Sequence, residues 1–157
     1  MKFGDLFKKW ELKTLKLNVK FVEAEFAPKP GDRDAAWEMY VYLITTILTQ
    51  KLPPEDGDEE AALTSVYRLF GVTRDILTKY GRKAKEFTKI AVVVLNQIVR
   101  PFTARWHKLS LGGAFNDAAQ RTQFRRELDD LRGSMRHYAG MLADIAQVED
   151  ITDIEDV

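Results

Sequence analysis

Apolar residues recur along most of this chain at steps of three and four, the pattern of helices buried on one side. The clearest run passes from Leu63 through Val66, Leu69/Phe70, Thr73 and Ile76/Leu77 to Tyr80. Asp58 stands where a cap is wanted, Glu59 and Glu60 fall in the first turn, and Gly81 supplies a stop. Gly71 interrupts the pattern, at a cost of about 1 kcal/mol relative to Ala.

Upstream, "DRDAAWEMYVYLITTILTQKLPP" predicts a helix with Asp34 as its cap and Pro53-Pro54 as its terminator. Trp37, Met39, Tyr40, Val41, Tyr42, Leu43, Ile44, Ile47 and Leu48 leave it little polar surface. A helix apolar nearly all round is either central in its own bundle or shared with a partner. A third helix begins near Lys83, with Phe87, Ala91, Val94/Leu95, Ile98, Phe102 and Trp106 as its core stripe. Pro101 donates no backbone hydrogen bond and crowds the preceding turn, which predicts a kink. After the loop "SLGGAFND", Asn116 or Asp117 caps a fourth helix, whose stripe is Phe124, Leu128, Leu131, Met135, Tyr138, Leu142 and Ile145.

The first thirty residues are ambiguous. Phe3, Leu6, Phe7 and Trp10 suit a short helix that docks as a lid, or one that lies on a membrane surface through its lysines. "LKLNVKF" alternates as a half-buried strand does, yet Leu12, Leu15, Val19, Val22 and Phe26 also fit a helical stripe. A strand here has no other strand in the chain to pair with and would need a second copy or a partner. The balance tips slightly towards an extended segment. Pro28, Pro30 and Gly31 end it either way. The closing "EDITDIEDV" has too little apolar content to pack much and reads as a tail.

The chain is therefore expected to be mainly all-α, a single-domain antiparallel four-helix bundle over 31–148. An N-terminal arm over 1–30, strand or short helix, precedes it, and an acidic tail over 149–157 follows.

At 157 residues the chain is long enough for one domain that buries about two-thirds of its unfolded surface. It has no cysteine, which excludes disulfides and thiolate metal sites, and its apolar runs are too short to span a bilayer. A cytoplasmic protein is the expectation. Formal net charge is zero, but the charges are segregated. Residues 79–137 hold thirteen Lys/Arg against five Asp/Glu, while "PPEDGDEE" and "VEDITDIEDV" concentrate acid. Such segregation points either to an acidic partner or to acidic segments that pair with the basic face of the same molecule.

Candidate chemistry is sparse. The two histidines and the absence of HExxH or paired Glu-x-x-His spacing argue against a metal centre. No phosphate-cradling glycine motif or nucleophile elbow is present, and no cofactor is expected. One pattern remains, in "NQIVRPFTARWH": Arg100 and His107 are separated by six residues, and Arg132 and His137 by four. At 100° per residue His137 lies about 140° around its helix from Arg132, whereas His107 lies only about 20° from Arg100, with Asn96 and Thr103 on the same stripe.

The Arg100–His107 spacing, on a predicted four-helix bundle, resembles the Arg-x(4–6)-His signature of HEPN ribonucleases. The resemblance covers eight residues. It implies metal-independent RNA cleavage at a dimer interface, with His107 moving protons and Arg100 stabilising phosphate charge, and Asn96 is the further candidate on that face. Two features depart from the family pattern: Pro101 follows the arginine, and the motif lies in the third helix rather than the last. A plainer account also fits, with Phe102 and Trp106 in the core and Arg105, His107 and Lys108 facing the last carbonyls of the helix.

The fourth helix carries Arg121, Arg125, Asp129, Arg132 and Arg136 along one face. They read either as a ridge for phosphates or an acidic partner, or as a solvated face with internal Asp–Arg pairs. The leading expectation is a non-enzymatic helical protein that works by association, as a homo-oligomer or as a subunit or adaptor of a larger assembly. Trp37, Tyr40 and Tyr42 are its expected self-association surface, and the arginine ridge its expected contact with an acidic partner. The alternatives are a ribonuclease that uses Arg100, His107 and Asn96, or a non-catalytic nucleic-acid-binding subunit.

Overall fold

A computed structural model describes residues 1–12 and 15–155; Lys13 and Thr14 of the arm and Asp156 and Val157 of the tail lie outside it. The described residues are mostly helical and contain no strand, only an isolated bridge between Lys2 and Glu25. Two short helices, α1 (Phe3–Lys9) and α2 (Val19–Glu23), form the arm. The body consists of α3 (Pro30–Ile44), α4 (Glu59–Tyr80), α5 (Lys85–Val94), α6 (Arg100–Leu111) and α7 (Ala118–Ala146). The most extensive helix pairing is α3 with α7.

Several caps follow from the sequence. Asp58 accepts from the Ala61 amide at 2.7 Å to start α4, and Asp117 accepts from the Ala119 amide to start α7. Gly81 closes α4 with φ +54°, a conformation that costs glycine little.

Helix α3 differs from expectation at both ends. It begins at Pro30, not at Asp34, because proline suits the first turn and Asp32 Oδ2 accepts from the Lys29 amide at 2.8 Å. It stops at Ile44, well before Pro53. Three threonine hydroxyls turn back on its last carbonyls: Thr45 on Val41 and Tyr42, Thr46 on Leu43, and Thr49 on Leu43 at 2.6 Å. These bonds satisfy the carbonyls locally and compete with a further helical turn.

Where a kink is expected at Pro101, the chain carries a π-helical turn, Leu95–Val99, immediately before α6. The Arg100 amide reaches back to the Leu95 carbonyl, one residue further than in an α-helix. With no N–H at position 101 and a ring that crowds the carbonyl four residues back, the widened turn accommodates the proline.

Among the described residues of 12–26 no strand forms, and the continuous helical stripe is reduced to one short helix. Residues 15–18 are irregular, and the helix that follows spans only Val19–Glu23. A side chain takes the place of a pairing strand for Lys16. The Lys16 amide donates to Gln97 Oε1 at 2.7 Å, and Gln97 Nε2 donates to the Lys16 carbonyl at 2.8 Å. Phe3, Leu6 and Phe7 are buried, and Phe3 meets Phe21 and Phe26 with ring centroids 4.6 and 5.4 Å apart. The arm thus docks as a lid. Its Trp10 lies against Gly140 of α7, where an added Cβ would sit 2.7 Å from the indole ring.

The expected tail also packs. Tyr40, 1% exposed, accepts from the Ile151 amide at 2.7 Å, and Thr152 is buried. Polar contacts do the work that sparse apolar content could not. The same core extends under the α6–α7 turn, where Gly113 at φ +86° precedes the short turn that brings Phe115 against Trp106 and Phe124.

Candidate functional site

The Arg100–His107 stretch lies in regular α-helix beyond the π turn, so the two side chains keep the shared face that their spacing predicts. Both are exposed, whereas Thr103 of the same stripe is buried. Arg100 Nε donates to Asn96 Oδ1 at 3.1 Å, and the guanidinium stacks 4.7 Å from the centre of the Phe70 ring. His107 meets the edge of Tyr67 at 6.0 Å, and the Tyr67 hydroxyl donates to the Thr103 carbonyl at 3.2 Å. Helix α4 therefore supplies two aromatics to this face. Phe70 belonged to the core stripe and Tyr67 lay one position off it, so the sequence marked neither as a surface feature.

Seven residues of α-helix place Arg100 and His107 about 10 Å apart along the axis. No hydrogen bond joins them among the described residues. The competing pair is closed off: Arg132 is buried, while His137 faces outward, 3.7 Å from Glu11.

The residues expected at a self-association surface separate. Tyr40 lies in the core. Besides accepting from Ile151, its hydroxyl donates to Asp150 Oδ1 at 3.1 Å, and burial raises its pKa. Trp37 is 47% exposed, Val41 is 37% exposed, and Tyr42 is half-buried. These three, with Val72 and Ile76, line a groove of about 520 Å³ between α3 and α4. Its rim carries both charge signs. Glu38 holds Lys79 and accepts from the Tyr80 hydroxyl at 2.6 Å, and Asp75 lies alongside. The bonds from Lys79 and Tyr80 lower the Glu38 pKa.

The arginine row has intramolecular partners. Arg121 donates to the Phe115 carbonyl. Arg125 donates to the Asp56 carbonyl at 3.2 Å and pairs with Glu59 at 3.6 Å. Arg132 donates to the Ile47 carbonyl at 2.7 Å and to Asp129 at 2.6 Å. Arg136 donates to the Thr49 carbonyl at 2.8 Å and to Asp153 at 2.6 Å. From Arg125 to Arg136 the row clamps the segment joining α3 to α4, and at its end it holds the acidic tail. Burial lowers the Arg132 pKa, and Asp129 opposes the shift.

Among the described residues no group of three or more potential metal ligands comes together, and no helix is long and apolar enough to cross a membrane. Comparison with family models, curated proteins and solved structures finds no match to this chain.

Proposed function

We propose that this chain is a non-enzymatic association protein and that the groove between α3 and α4 is its contact face, with a second copy as the occupant. The exposed Trp37–Val41 wall carries the reading. Large exposed apolar side chains around a concave surface are the usual centre of an interface, and tryptophan is prominent among residues that dominate binding energy. The mixed charge of the rim suits a two-fold contact, in which one patch must complement itself. In this reading the body is an antiparallel four-helix bundle acting in the cytoplasm. Replacing Val41 by Arg is expected to leave helix content unchanged while gel filtration shows a smaller particle. An unchanged elution volume counts against the groove.

A second reading rests on the shared exposure of Arg100 and His107 beside Tyr67. It is a HEPN-like ribonuclease in which Arg100, His107 and Asn96 of two chains complete one site. RNA cleaved in the presence of EDTA by the wild-type protein but not by His107→Ala would establish it. Intact RNA in both removes it. A non-catalytic nucleic-acid role for the arginine row is the weaker option, since each of those arginines already serves a partner in its own chain.

A further inference from the structure

The turn that joins α4 to α5, "GRKAK", faces the start of α3 across a crevice of about 380 Å³. Four cations line it: Lys29, Arg82, Lys83 and Lys85. Three carboxylates also line it, and each is already engaged. Glu25 pairs with the N-terminal ammonium at 3.2 Å. Glu86 accepts from the Ala27 amide at 3.0 Å and pairs with Lys89 at 2.9 Å. Asp32, 1% exposed, accepts from the Lys29 amide at 2.8 Å and the Phe87 amide at 2.9 Å. None of the four cations has a salt-bridge partner among the described residues. The crevice therefore concentrates positive charge that its own acids do not neutralise.

Its walls are held in place. Gly31 packs so closely on the turn that an added Cβ would lie 2.2 Å from the Lys83 carbonyl oxygen. The Asp32–Phe87 bond ties the same two walls together one turn further on. The cations thus stand on a preformed frame, which lowers the ordering cost of binding. The volume suits a small ligand rather than a long strand. Among the described residues no aromatic ring lines the crevice, so none of them stacks a base there.

We propose that this crevice is a binding site for a compact polyphosphate, recognised through its phosphate groups. Both inorganic polyphosphate and the phosphate tail of a nucleotide have that chemistry. Calorimetric titration of the full chain with inorganic tripolyphosphate and, separately, with adenosine triphosphate tests it. Three proteins are compared: wild type, the Arg82→Gln/Lys85→Gln variant, and a Lys8→Gln/Lys20→Gln control of equal net charge. The site predicts that wild type and control bind both ligands with similar affinity, and that the crevice variant binds about tenfold or more weakly. It is overturned if wild type does not bind tripolyphosphate, if only the nucleotide binds, or if the control weakens as much as the crevice variant. All four substituted positions are exposed, and circular dichroism of each variant checks that the fold is retained.

Discussion

Arg132, on the long helix α7, donates its Nε hydrogen to the Ile47 carbonyl at 2.7 Å, from a side chain only 7% exposed. The acceptor belongs to the irregular segment that follows α3, so one buried cation fixes where that segment runs. Arg132→Ala removes the donor and leaves a part-buried carbonyl without this partner. We expect a loss of about 1–3 kcal/mol, measurable by urea unfolding, because a part-buried charge-assisted bond costs more to break than a neutral surface one. Arg126→Ala, two turns away and exposed, is the control and is expected to change stability by less than about 0.5 kcal/mol.

Gln97 provides a second link of the same kind, tying the arm to the body through both polar groups of Lys16. Gln97→Ala is expected to speed amide hydrogen exchange at Lys16 and in α2 while leaving α7 protected. Partial exposure limits the global cost to about 1 kcal/mol. Unchanged exchange at Lys16 would show that the aromatic contacts of Phe3 and Phe21 hold the arm without it.

Gly140 and Gly31 each allow an approach that a methyl group would block, at Trp10 and at the Lys83 carbonyl respectively. Gly31→Ala meets backbone, which yields less readily than a ring. We expect it to destabilise the chain by about 1–3 kcal/mol. Gly140→Ala is expected to displace Trp10, and a red shift of indole emission would report it.

Glu38 gives stability a pH dependence of known sign. Hydrogen bonds from Lys79 and Tyr80 lower its folded pKa, so its contribution is present above the unfolded carboxylate value of about 4.3 and is lost as pH falls below it. Wild type should therefore lose stability relative to Glu38→Gln between pH 6 and pH 3. The exposure of the pair keeps the difference small, and 1 M salt should reduce it further.

The helices were legible in the sequence wherever a stripe and its caps agreed. Asp58 and Gly81 bound α4 as their chemistry requires, and Phe124, Leu128 and Met135 sit in the core as their spacing predicts. The misreadings lay where hydrogen bonds decided, some local and some between distant residues. Thr45, Thr46 and Thr49 end α3 by back-bonding that no apolar pattern records. Residues 149–153 dock through Tyr40, Gln50 and Arg136, polar partners 110, 102 and 17 residues away in the bonds they make. Tyr40 and Trp37 look alike in sequence, but one lies under the tail and the other lies in the open. The face joining Arg100 and His107 was visible from spacing, while Tyr67 and Phe70 reached it only through the packing of α4.

The central claim is self-association through the α3–α4 groove, and multi-angle light scattering of the wild-type chain over a micromolar concentration series tests it most directly. The account predicts a molar mass above the 18.0 kDa of one chain, falling towards that value on dilution and at once when Trp37 is replaced by Ser. A constant 18.0 kDa across the series would contradict it.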